Sequence, residues 1–76
     1  MTLKGEHAVI LVFSTAYAIR GERVLHQAGI ESKMIPVPRR LSSNCGVCLR
    51  IKRADVDAAR QALEQADLEI EGIYDY

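Results

Sequence analysis

The chain has 76 residues, the length of a single domain spanning 1–76. Ten Lys and Arg balance ten Asp and Glu, so there is no general basic field to attract nucleic acid. The scarce aromatics (Phe13, Tyr17, Tyr74 and Tyr76) do not sit in a basic strip either.

The composition is globular, 49% hydrophobic and 26% charged. A domain this small buries a modest fraction of its surface and has little stability to spare. Two cysteines are too few for a disulfide scaffold, so a reduced, cytoplasmic compartment is the expectation.

In chain order, HAVILVF (residues 7–13) is apolar on both faces and reads as a buried central strand. With Lys4 before it and A-Y-A after it, the run imitates a short signal peptide. Glu6 and His7 flank it, Ser14 and Thr15 interrupt it, and cleavage would remove the central strand. It is also too short to span a bilayer. Ser14 or Thr15 can cap a helix from about Ala16 to Ala28, with Gly29 as its stop. Within that helix Gly21 would allow close approach to a sheet.

IESKMI (30–35) reads as a second strand. Pro36 and Pro38 after it forbid continuous pairing and predict an edge position. GVCLRIK (46–52) alternates, with Val47, Leu49 and Ile51 on one face and Cys48, Arg50 and Lys52 on the other. A second helix opens at Ala54 or Asp55, with an apolar stripe of Val56, Ala59, Leu63 and Ala66. LEIEGIYDY (68–76) reads as a last strand, Leu68 and Ile70 inward, Glu69 and Glu71 outward.

This order predicts an α+β fold, the ferredoxin-like βαββαβ sandwich: a four-stranded antiparallel sheet with two helices on one face. Right-handed crossovers put strands 1 and 3 in the middle and 2 and 4 at the edges. Strand 1 would then offer apolar side chains to the open face, where a second copy of the chain could cover them.

Chemistry concentrates in PVPRRLSSNCGVCLR (36–50), which holds both cysteines. Cys45 stands at the mouth of strand 3, after a loop of the kind that carries function. Arg39 and Arg40 can bring positive charge near it. Ser42, Ser43 and the backbone N–H groups of Asn44 and Gly46 can donate hydrogen bonds. Each favours a thiolate, the nucleophilic form. Gly46 leaves room beside the sulfur. The alternative is that Cys45 is a small buried apolar residue.

C-G-V-C has redox-motif spacing, but in a strand Cα atoms three apart stand about 10 Å from each other, while a disulfide needs roughly 4.4–6.8 Å. Cys48 is therefore expected to pack on the open sheet face. One C-x-x-C is half a zinc site, and His7 and His26 have no paired ligand spacing, so no metal site is expected. No base is placed by sequence for a Cys–His pair, and no phosphate loop occurs.

A strand ending Phe-Ser-Thr, a helix ending Gly-Ile, then I-P-V-P-R and S-S-N-C-G before a strand resemble a small bacterial family of selenium/sulfur carrier-like proteins. The resemblance runs from about Ala8 to Ile51. It implies that Cys45 carries a persulfide or selenopersulfide between a donor, such as a cysteine desulfurase, and an acceptor protein. It implies that Pro36, Pro38, Arg39, Ser42, Ser43 and Gly46 shape the site. Such a protein needs no cofactor and is an accessory to catalysis rather than an independent enzyme. The C-P-x-P motif of better understood sulfur-transfer proteins is absent, so their mechanism is not carried over. A second reading stands beside this one: a binding module, a dimeric adaptor or small-ligand sensor, using the loop from Pro36 to Asn44 for an anion or a partner strand.

Overall fold

The apolar run at the start of the chain becomes β1 (His7–Leu11), whose last four residues are buried. It is followed by α1 (Thr15–Gln27), β2 (Ser32–Pro36), β3 (Val47–Lys52), α2 (Val56–Gln65) and β4 (Gly72–Asp75), with one turn of 3-10 helix at Arg53–Asp55 leading into α2. The structure, a computed structural model, describes residues 6–41 and 45–76.

The sheet is antiparallel in the order β2-β3-β1-β4. The all-apolar strand is central and the proline-ended strand is at an edge, as the sequence predicts. The architecture is α+β and ferredoxin-like. Pro36 belongs to β2 as its last residue, opposite Val47. At an edge its missing N–H can face outward, so the ladder is not broken.

Helix α1 begins at a side-chain cap, and both helices end in the same kind of closure. Ser14 caps α1, its Oγ accepting from the Tyr17 N–H at 3.3 Å. Helix α1 closes with Gly29 at φ 80° and the Ile30 N–H donating to the Leu25 carbonyl at 2.9 Å. Helix α2 repeats the closure with Asp67 at φ 58° and the Leu68 N–H donating to the Leu63 carbonyl at 3.0 Å. Each closure buries an aliphatic residue just past the helix, Ile30 and Leu68.

These closures explain where the strand boundaries differ from expectation. Ile30 and Leu68 are taken up by the helix ends, so β2 starts at Ser32 and β4 at Gly72 rather than at 30 and 68. The last strand's expected outward Glu71 is instead half-buried, its N–H donating to the Leu11 carbonyl at 2.7 Å. Strand β1 also ends early. Val12 stays buried, but the chain bends to deliver Ser14 to the helix, and Phe13 is left 48% exposed.

The sheet carries apolar packing on both faces. On the helix face, Ala8, Ile10, Val12, Leu49 and Ile51 pack with Ala18, Leu25, Ala59 and Leu63 of the helices. Gly21 makes the approach possible: a Cβ there would lie 3.0 Å from Leu49 Cδ1. On the other face, Val9, Leu11 and Cys48 form a smaller cluster, joined by Ile35, Val37 and Leu41.

Val37 and Leu41 belong to the β2–β3 connection, which folds back over the sheet. A turn from Pro38 to Leu41 is closed by the Leu41 N–H to the Pro38 carbonyl at 3.0 Å. The Arg40 guanidinium then donates to the Asp75 carbonyl on β4. Val9 and Leu11 are at most 2% exposed as a result. The apolar patch that motivated the expectation of a second copy is thus covered by the chain's own connection. Among the described residues, no helix is long and apolar enough to cross a membrane.

Candidate functional site

Both cysteines stand at the end of the sheet where β1 leaves and β3 enters. Cys48 is the second residue of β3, opposite Leu11 on one side and Ile35 on the other. Its side chain is on the face away from the helices and fully buried. The thiol lies 3.9 Å from the Pro36 carbonyl, to which it donates. Burial, and secondarily the charge of an ionised Cys45, push the Cys48 thiol up from its ordinary range. Cys48 is a protonated core thiol, as its place in the strand alternation predicts.

Cys45 belongs to the other face. It is a member of the helix-side cluster and is 5% exposed. The two thiols are therefore divided by the sheet and are not joined by a disulfide. Cys45 lies two residues before β3 begins at Val47. Cys45 is buried, as many free cysteines are. Its neighbour Gly46 is exposed, and a Cβ there would meet nothing within 4 Å. The sulfur thus lies one residue from open space.

The β1–β3 register pairs Leu11 with Cys48. Ser14, three residues beyond Leu11, is the N-cap of α1. The first turn of α1 has no acidic residue. The start of a helix is electropositive and favours anions.

The Arg40 guanidinium is engaged at Asp75, roughly 10 Å along β4 from the strand end that abuts Leu11, by the rise per residue. Arg39 is exposed on the same turn. The Arg40 hydrogen bond belts the connection across the sheet. Pro36 ends β2 with its carbonyl on Cys48, and Pro38 opens the turn. Ser42, Ser43 and Asn44 lie outside the described residues.

The sequence reading missed the covering role of Val37 and Leu41. The signal was present: two aliphatic residues bracket P-R-R in an otherwise polar connection. Loops seldom need aliphatic side chains unless they cover something. Phe13 was also missed as an exposed ring, because an unbroken apolar run gives no sign of where its strand ends. Among the described residues, no group of three or more His, Cys, Asp or Glu could hold a metal ion.

One family matches the chain, over residues 7–75, and its description is "Putative Se/S carrier protein-like". No curated protein and no solved structure gives a significant match.

Proposed function

The chain belongs to the Se/S carrier protein-like family, and on that premise we propose that Cys45 carries a sulfur or selenium atom from a donor protein to an acceptor. The family match carries this reading. It covers almost the whole chain, including the S-S-N-C-G segment around Cys45. The protonated, strand-locked Cys48 supports a single working thiol, as does the open space beside Gly46.

The chemistry balances without an external oxidant. The Cys45 thiolate attacks the outer sulfur of a donor persulfide. The new sulfur–sulfur bond forms as the donor's own bond breaks, and the donor cysteine leaves as a thiolate. The acceptor's thiolate repeats the exchange on Cys45. Selenium follows the same course. A cysteine desulfurase has the donor chemistry this needs, and Pro36, Pro38, Arg39, Ser42, Ser43, Asn44 and Gly46 frame the segment that must admit it. Because Cys45 is 5% exposed, transfer requires that segment to yield when the donor docks.

The test is incubation with a cysteine desulfurase and cysteine, read by peptide mass spectrometry. Gain of one sulfur on Cys45, lost in Cys45→Ser with the fold intact and retained in Cys48→Ala, supports the reading. No gain, with both thiols alkylated only on unfolding, removes it. The burial of Cys45 would then favour the binding-module reading, in which Arg39 of the exposed turn takes an anion or a partner strand. Under that reading Arg39→Ala weakens binding while Cys45→Ser acts only through packing.

A further inference from the structure

A second feature stands on the helix face at the cysteine end of the sheet. Phe13, 48% exposed, leans edge-on against Tyr17 with ring centroids 6.1 Å apart and an interplanar angle of 77°. Beside it a groove of about 370 Å³ runs between the bend after β1, the last turns of α2 and the segment leading to β4. Its apolar side chains are Phe13, Leu63, Leu68 and Ile70. Its charged ones are Glu64, Asp67 and Glu69, opposed by Arg60. Three carboxylates against one guanidinium leave a net negative rim on an apolar base.

We propose that this groove docks a cationic, apolar segment of a partner protein, a stretch that combines a large aliphatic or aromatic side chain with flanking Lys or Arg. The apolar residue packs against Phe13 and Ile70, and the flanking cations meet Glu64, Asp67 and Glu69. Exposed aromatics of this kind are the usual energetic anchors of protein interfaces. Rim charges select the partner's sign and speed encounter more than they add affinity. The end of the sheet is shared: Gly72 of β4 and Cys48 of β3 both pair with Leu11, and Cys45 precedes β3 on the same helix face. That the docked protein is the sulfur or selenium donor rests on the carrier reading; that the groove takes a cationic segment does not.

The experiment is a peptide-display selection on the immobilised Cys45→Ser chain, which cannot transfer sulfur and so reads the groove alone. Enriched sequences are expected to pair a large apolar residue with Lys or Arg. Affinity should fall about fivefold or more in Phe13→Ala, the loss that marks an interface anchor. It should also fall in Glu64→Gln/Glu69→Gln, two exposed positions where folding is not at stake. Enrichment of acidic or uncharged sequences, no enrichment, or binding indifferent to both variants overturns the proposal. Enrichment as expected, with the unsubstituted chain accepting no persulfide from a cysteine desulfurase, would leave the groove standing and remove the carrier reading.

Discussion

Gly21 sets two measurable effects against each other. Replacing it by Ala adds helix propensity, which alone would stabilise the chain by about 0.5–1 kcal/mol. The new Cβ would also lie 3.0 Å from Leu49 Cδ1, 3.5 Å from Leu68 Cδ2 and 3.9 Å from Leu63 Cδ2. Leu49 is fully buried at the centre of the helix face, so its methyl has nowhere free to move. Forcing a carbon into a packed core costs about 1–3 kcal/mol. The packing cost is the larger, and Gly21→Ala should lose about 1 kcal/mol net. For a domain of this size that is a fall of roughly 4–8 °C in Tm. Circular dichroism melts and urea titrations measure it. Leu49→Val supplies the control, because shortening the side chain relieves the clash. In that background Gly21→Ala should cost less or stabilise, with a coupling of about 0.5 kcal/mol or more. A more stable Gly21→Ala single variant, or additive substitutions, would refute the assignment of Gly21 to close packing.

Other outcomes follow from residues away from Gly21. Cys48 is harder to ionise in the fold than in the unfolded chain. Below the ordinary thiol range, about 8.5, both states are protonated and its contribution is constant. Above that range the unfolded chain loses the proton first, so stability falls as pH rises through the folded value. Unfolding titrations should show a shallower alkaline slope in Cys48→Ala, and an unchanged slope would count against the burial of this thiol. Leu41→Ser weakens the cover over Cys48, and native-state alkylation of Cys48 should quicken roughly fivefold for each kcal/mol of cover lost. An unchanged rate would mean the turn covers nothing. Asp67 holds a left-handed conformation that disfavours L side chains by about 1–2 kcal/mol. Asp67→Gly should therefore raise Tm, and a fall would show that its side chain offsets the strain.

The alternation of β3, the apolar completeness of β1 and the prolines after β2 made the sheet order legible, because each reflects burial or pairing directly. The boundaries at Ile30 and Leu68 were not legible. An aliphatic residue after a helix can begin a strand or close the helix end, and hydrophobicity is the same in both. For Asp67 the difficulty was sharper, since the glycine that marks the first closure has no counterpart in the second. The site was legible in part. Strand spacing excluded a bridge between the two cysteines and put Cys48 on the open sheet face. The depth of Cys45 could not be read, because the residue precedes β3 and no strand alternation reaches it.

The pairing scheme has a consequence for how the chain can come apart. It divides into two strand–helix–strand pieces, β1-α1-β2 and β3-α2-β4, with matching helix closures. Yet β1 bonds to β3 and β4, and β2 bonds to β3, so each ladder joins one piece to the other. Neither piece owns a sheet, and neither can stand as a folded intermediate. The molecule therefore resembles two interleaved hands more than two stacked blocks. A backbone cut between Pro38 and Gly46 should yield fragments that are unfolded apart and assemble only together.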